Sequence, residues 1–201
     1  MTAADLLRKM RGRRSLRRYQ AQPVPQEQIA QLLEAAIWAP SAHNRQPWRF
    51  VILQDAASKR QLATAMGAKL RQDLGADGLP PELIEADARR SYERLTAAPL
   101  LILLCLSMID MDVYSDAQRN QHEVSMAQQS VAMAGQNILL MADSLGLGAC
   151  WMCAPLFCGE LVARTLDLPP DWQPQGLITL GYPAQQRQRG RQGWETRTVW
   201  R

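Results

Sequence analysis

The apolar run over residues 99–106, PLLILLCL, constrains the fold more than any other feature of this sequence. A membrane-spanning helix needs about 20 apolar residues, whereas a buried strand needs roughly 4–8. The run therefore predicts a buried β-strand over residues 100–106. The chain has 201 residues, 47% of them hydrophobic, which is sufficient for one domain with a real core.

The sequence on both sides of this run alternates between helical and strand patterns. Residues 26–38 carry apolar side chains at the spacing of one helical face, with Pro40 expected to end that helix. Further helices are predicted over residues 4–11, 56–75, 81–95, 120–145 and 158–166, and strands over residues 48–53, 149–154 and 177–182. The alternation indicates a single domain of α/β type over residues 1–201, without a convincing interdomain linker.

Three segments leave alternatives open. Residues 69–94 are the most polar part of the chain and form a lid or, as we favour, a solvated helical hairpin. The predicted helix over residues 120–145 is a core helix or a dimer-forming helix, since small residues would let another helix approach closely: Ala127, Ala132, Ala134 and Gly135. The polar, basic tail from about residue 185 cannot make its own core, and is either frayed or wrapped on a partner.

Positive charge is concentrated at the two ends of the chain, whose formal net charge is +4. Arg13, Arg14, Ser15 and Arg17 supply guanidinium and hydroxyl donors suited to phosphate. On an extended segment, residues 13, 15 and 17 would point to one side. Solvated basic faces remain an alternative, and a nucleic-acid surface is a weaker one because no recognition pattern accompanies the charge.

The loop over residues 39–48, APSAHNRQPW, is dense in hydrogen-bonding groups. Ser41, Asn44 and Gln46 could pair with a ring that carries carbonyl and N–H groups, or the loop could simply end a helix. His43 has no evident nucleophile partner, and His122 is expected to be structural or exposed. Cofactor-type loops with few catalytic side chains suggest that a bound cofactor performs the chemistry.

Four cysteines, Cys105, Cys150, Cys153 and Cys158, do not supply a complete zinc ligand set. A redox pair is possible, but buried reduced thiols in a cytoplasmic protein are favoured. The start of the sequence has no apolar stretch typical of a signal peptide. Neither a Walker loop nor a dinucleotide fingerprint is present.

The order of RRSLRRY, APSAHNRQPWRFVI, GLGACWM, LGYP and a basic tail resembles the FMN-dependent nitroreductase superfamily over nearly the whole chain. The details are similar to the C-terminal flavin domain of the bifunctional deazaflavin-coenzyme (F-420) biosynthesis protein. The chain departs from that protein in lacking a ligase domain, and from many nitroreductases in having Cys153 where they carry an acidic residue. Both departures leave the substrate open.

The resemblance implies an α+β, three-layer fold with a mainly antiparallel sheet flanked by helices, in an intertwined homodimer with FMN at the interface. It implies ping-pong hydride transfer from NAD(P)H, or a reduced deazaflavin, to a nitro, quinone or other conjugated acceptor. Alternatives are a deazaflavin biosynthetic reductase, a dimethylbenzimidazole-forming relative and a flavin- or deazaflavin-binding protein without turnover. No nucleic acid or membrane partner is implied.

The resemblance also assigns roles to individual residues. Those matching the phosphate and ribityl segment are Arg13, Arg14, Ser15 and Arg17, and those matching the loop against the isoalloxazine of the partner's FMN are Pro40, Ser41, Asn44 and Gln46. The strand end that faces the reactive edge of the flavin comprises Trp151, Met152, Cys153 and Ala154, while the tail that closes over the phosphate contributes Arg189 and Arg191. An acidic deazaflavin tail would meet Arg45, Lys69 or Arg71.

Overall fold

The computed structural model describes residues 2–186 and 188–201 and contains one four-stranded sheet in the order β1-β2-β4-β3. The strands are β1 (Trp48–Leu53), β2 (Leu100–Leu106), β3 (Gly148–Met152) and β4 (Gln173–Gly181). The α-helices are α1 (Ala3–Gly12), α2 (Gln26–Ile37), α3 (Ala56–Ala76), α4 (Pro81–Thr96), α5 (Ala117–Ser144) and α6 (Gly159–Thr165). Short 3-10 helices cover Ala42–Asn44, Ala154–Phe157 and Glu195–Arg197.

Strand β2 is the centre of the fold, and its predicted bounds and burial are confirmed. Its even-numbered residues pack in one core cluster with α2 and α5, and its odd-numbered residues pack in a second cluster with α3, α4 and α6. Each fully buried leucine contributes roughly 1.5–3 kcal/mol of hydrophobic stabilisation. The sheet is therefore the middle layer between two helical layers.

All named strand pairs are antiparallel, so the α/β type indicated by the alternation is wrong and the α+β fold is confirmed. Alternation alone does not fix strand direction. Between β1 and β2 the chain forms a helical hairpin, α3 and α4, which returns it to the same end of the sheet.

Two elements, β4 and α5, begin several residues earlier in the structure than the sequence predicted. Strand β4 begins at Gln173 rather than at residue 177, because the polar and glycine-containing stretch at its start lacks the apolar pattern of a strand. This stretch pairs with β2 at a shift in register between Leu104 and Cys105. Helix α5 begins at Ala117 rather than at residue 120, because the Asp116 carboxylate accepts the Arg119 N–H and caps the first turn.

The predicted helical hairpin over residues 69–94 is confirmed. Gly78 adopts φ of 75° in the turn, and Pro81 begins α4. The Arg71 Nε donates to Glu85 Oε1 at 2.7 Å across the two helices. None of the described helices is long and apolar enough to cross a membrane.

None of the described residues of the tail belongs to either core cluster. Its described residues from 188 onward are exposed, including Trp194 and Trp200, whose rings meet edge to face at 6.4 Å between centroids. Residue 187, which the tail prediction includes, lies outside the described residues. These two exposed indoles give the tail an apolar surface that its own protomer leaves uncovered.

Candidate functional site

The segment after α1 is extended and lies beside the sheet. The Leu16 N–H donates to the Ala149 carbonyl at 3.0 Å, and the Gln20 N–H donates to the Tyr182 carbonyl at 2.8 Å. The Tyr19 hydroxyl lies 2.6 Å from the Leu16 carbonyl and 2.7 Å from Thr179 Oγ1. Burial raises the pKa of Tyr19, so this anchor remains a neutral phenol. The backbone register of residues 13–20 is thereby fixed.

Arg13, Ser15 and Arg17 each influence the pKa of one group, the thiol of Cys150. Burial raises the pKa of this thiol, while the charges of Arg17 and Arg13 and a hydrogen bond with Ser15 oppose the shift. Arg94 of α4 acts on the same thiol. Sequence reasoning missed Arg94, which lies about 80 residues away along the chain.

Arg14 has a distinctive environment. Its Nη1 donates to the Arg13 carbonyl at 2.7 Å and also to the Arg11 carbonyl. Its Nε is buried and has no acceptor in the described part of the chain. Arg14, Arg13 and Arg189 line one cleft with a volume of about 770 Å³. A buried donor without an acceptor, in a cleft with three arginines, marks a place for an anion.

The remaining arginines are distributed differently. Arg17 lines a second cleft, of about 620 Å³, together with Arg90 and Arg94. Arg191 is exposed, and its Nη1 donates to the neighbouring Gly190 carbonyl at 3.2 Å. The structure therefore brings Arg189 to the cleft of Arg13 and Arg14, but does not bring Arg191 or Arg17 there.

The loop of Pro40, Ser41, Asn44 and Gln46 is held by its own hydroxyl and by α5. Ser41 Oγ accepts the Gln46 N–H at 3.1 Å. The Ala42 N–H donates to Ser130 Oγ at 3.3 Å, and Ser130 donates to the Met126 carbonyl at 2.7 Å. Sequence reasoning missed Ser130, although a serine on the apolar face of a helix was a usable signal.

Three non-glycine residues of this loop have left-handed backbone conformations. The φ angles are 48° at His43, 55° at Asn44 and 51° at Gln46. Side chains disfavour this region, and such strain is found preferentially at functional sites. Asn44 and Gln46 are exposed, so their amides face away from the core of the protomer.

The end of β3 is built around the Trp151 ring. A Cβ at Gly135 of α5 or at Gly176 of β4 would overlap this ring, so both glycines are needed where they are. The small size of Gly135 accommodates an indole of the same chain, in agreement with the core-helix alternative for α5. Ala127 and Ala134 likewise pack in the protomer's own core.

Beyond Trp151, Met152 pairs with Leu177 and Ala154 begins a 3-10 helix. Cys153 is exposed, contrary to the expectation of buried thiols, whereas Cys105 and Cys150 are buried. All four cysteines are free. Burial raises the pKa of the Cys105 thiol to about 12, which fits an inert structural cysteine.

The three cations predicted to meet an acidic deazaflavin tail are in ion pairs. Arg71 pairs with Glu85 through two hydrogen bonds of 2.7 and 3.0 Å, and this pairing lowers the pKa of Glu85. Lys69 pairs with Asp73, and Arg45 pairs with Asp112. A ligand that used these cations would have to displace a carboxylate from each.

Comparison with known proteins decides the family. The profile of the nitroreductase family matches residues 10–182. The chain belongs to this family of oxidoreductases. The match includes the segment of Arg13 to Arg17, the loop of Ser41 to Gln46 and the strand end at Trp151 to Ala154, and it stops before the tail.

Individual relatives are similar over most of their length. The chain is 29% identical to an NADH dehydrogenase of Thermus thermophilus, over 87% of this chain and 84% of the relative. It is 31% identical to a 5,6-dimethylbenzimidazole synthase of Rhodospirillum rubrum, over 92% and 86%. A nitroreductase-like protein of Desulfovibrio desulfuricans, solved in complex with FMN, superposes with a TM-score of 0.76 at 26% identity, over 100% and 98% of the chains.

Proposed function

We propose that this nitroreductase-family protein binds FMN and transfers hydride from NAD(P)H to a nitro, quinone or other conjugated acceptor in two half-reactions. The observation that carries this proposal is the buried Nε of Arg14, a donor without an acceptor in the cleft of Arg13 and Arg189. The phosphate of FMN fits this donor set in charge and geometry. The FMN in the Desulfovibrio relative supports the same assignment.

Bound FMN would supply the carrier that accepts and releases hydride. Arg13, Arg14 and Arg189 would hold its phosphate, with Ser15 and Arg17 along the ribityl chain. Arg94, whose charge converges with theirs on Cys150, would add to the positive field. Such fixed charge orients the ligand without reorganisation at each turnover.

The strained loop and the strand end would bind the ring. Pro40, Ser41, Asn44 and Gln46 would lie against the isoalloxazine of the partner's FMN, while Trp151, Met152, Cys153 and Ala154 would face its reactive edge. Gly135 and Gly176 leave space for the Trp151 ring, and Ser130 fixes the loop to α5. The protein thus contributes orientation and exclusion of water.

This proposal requires a homodimer of single-domain chains in the cytoplasm, with the tail from about residue 185 on the partner. The exposed Trp194, Val199 and Trp200 supply apolar area that a partner would cover. Analytical ultracentrifugation of the full chain and of a variant that ends at residue 189 tests this. We expect a dimer for the full chain and weaker dimerisation for the shortened one; a folded, flavin-bound full-length monomer would contradict the arrangement.

The enzyme assay is steady-state turnover of NADH and NADPH with a quinone and a nitroaromatic acceptor. Hydride transfer in two half-reactions gives parallel double-reciprocal lines. Intersecting lines would indicate a ternary complex and contradict the two-step exchange. Turnover of neither acceptor by flavin-loaded protein would overturn the proposed activity and leave a flavin-binding protein.

A second candidate is a flavin-consuming activity, favoured by the 31% identity to a 5,6-dimethylbenzimidazole synthase over 92% of this chain. Aerobic incubation with reduced FMN distinguishes the two. A dimethylbenzimidazole product with loss of flavin would establish the second candidate, whereas intact flavin would exclude it. Reduced deazaflavin belongs in the same donor series, although the pairing of Arg45, Lys69 and Arg71 disfavours tight binding of its acidic tail.

A further inference from the structure

Three side chains from separate segments converge beside α5. His43 belongs to the strained loop, Asp112 to the loop before α5, and Glu123 to the first half of α5. One ligand atom of each lies within 4.8 Å of the other two. The proposed FMN site does not account for this arrangement.

Glu123 needs a partner that the described residues do not provide. The residue is 2% exposed, and its Oε2 is buried without a hydrogen bond to any of them. Burying a carboxylate is costly unless it is paired or coordinates a metal ion. Because Glu123 belongs to the convergent cluster, a cation held between the three side chains would pair with its buried charge.

We propose that His43, Asp112 and Glu123 bind a divalent transition-metal ion, with Zn²⁺ the best fit. One imidazole nitrogen with two carboxylate oxygens is a ligand set that suits Zn²⁺, while purely oxygen sets suit Mg²⁺ or Ca²⁺. Bonds of about 2.0–2.2 Å place tetrahedral ligand atoms roughly 3.5 Å apart. The ligand atoms, within 4.8 Å of one another, would have to move closer when an ion binds, and His43 is the exposed member of the cluster.

Asp112 can coordinate the ion and keep its ion pair with Arg45. The ion pair with Arg45 uses Asp112 Oδ1, which leaves Oδ2 for coordination. Two carboxylates and one guanidinium carry a net charge of −1 before the ion is bound, so a divalent cation is attracted to the cluster. Water fills the fourth position that three protein ligands leave open.

The ion would tie the strained loop to α5 at a second point. Ser130 already holds Ala42 through a hydrogen bond. Metal coordination would restrain the next residue, His43, in its left-handed backbone conformation. The role is structural, and it does not depend on what the loop binds.

Metal content of the purified full-length protein tests the site directly. After chelator treatment and dialysis, the protein is titrated calorimetrically with Zn²⁺, Mn²⁺ or Mg²⁺, and bound metal is counted by mass spectrometry after gel filtration. His43→Gln and Glu123→Gln remove ligands, whereas His122→Gln changes the exposed histidine next to Glu123, which is outside the cluster.

We expect one Zn²⁺ per chain in the wild type and in His122→Gln, and binding at least 10-fold weaker in both cluster variants. Because His43 is exposed, His43→Gln should fold even if Glu123→Gln does not. A wild type that binds no Zn²⁺, or Zn²⁺ binding equal in His43→Gln and His122→Gln, would overturn the site. Tighter binding of Mg²⁺ than of Zn²⁺ would overturn the ligand assignment.

Discussion

The indole N–H of Trp151 donates a hydrogen bond to the thiol of Cys153, with 3.1 Å between nitrogen and sulfur. The ring that makes this bond lies against Gly135 and Gly176, where an added Cβ would overlap it. The exposed thiol at the end of β3 is therefore positioned by a buried packing arrangement that involves α5 and β4.

Gly135→Ala should destabilise the protein by about 1–3 kcal/mol, because the new methyl group overlaps the Trp151 ring. The matched control is Gly75→Ala, another helical position, where an added Cβ meets nothing within 4 Å. That control should be stabilised by up to about 1 kcal/mol. Urea unfolding of both variants measures the difference, and equal stability would show that the ring can move aside.

Thiol accessibility should divide the cysteines into two groups. At pH 8 an alkylating reagent should label Cys153 first, whereas Cys105 and Cys150 should be protected because burial raises the pKa of both thiols. Since burial raises the pKa of the Cys105 thiol to about 12, raising the pH to 9 should leave Cys105 protonated and unlabelled. Peptide mass spectrometry identifies the labelled site. Cys105 or Cys150 labelled as fast as Cys153 would contradict the described burial.

Ser130→Ala should loosen the loop, because the Ala42 N–H loses its acceptor at a cost of roughly 0.5–1.5 kcal/mol. Ser125→Ala is the matched control, since Ser125 Oγ bonds only the Gln121 carbonyl four residues back on the same helix. We expect weaker FMN binding in the first variant and none of this effect in the second. Fluorescence titration measures the FMN affinity of both variants. Equal affinities would show that the anchoring of the loop by Ser130 does not affect flavin binding.

Arg14→Gln should weaken FMN binding by roughly 10- to 100-fold, because it removes a charge-assisted contact worth about 1.5–3 kcal/mol. Arg60→Gln, an exposed arginine on α3, controls for loss of charge. The Arg14 effect should be absent with riboflavin, which lacks the phosphate. If riboflavin loses affinity equally, Arg14 does not bind the phosphate.

Local patterns in the sequence were sufficient for most elements. The bounds of β1 and β2 follow from runs of apolar and β-branched residues, and α3 and α4 follow from periodicity together with Gly78 and Pro81. These features depend on neighbours in the sequence. The direction of the strands depends on distant pairing, which is why the α/β indication failed.

In the candidate site, too, local features could be predicted from the sequence and contacts between distant residues could not. The cluster of phosphate-type donors at Arg13, Ser15 and Arg17 is visible in the local sequence. The convergence of Arg94, the anchoring by Ser130 and the packing of Trp151 on Gly135 join residues far apart in the chain. No local pattern encodes those contacts, and only the packed sheet and helices bring them together.

Anaerobic stopped-flow mixing of the FMN-loaded protein with NADH, NADPH and reduced deazaflavin tests the central claim most directly. We expect a nicotinamide donor to bleach the flavin absorbance, and a quinone or nitroaromatic added afterwards to restore it. A flavin that no donor bleaches, or purified protein that does not bind FMN at all, would contradict the proposed oxidoreductase.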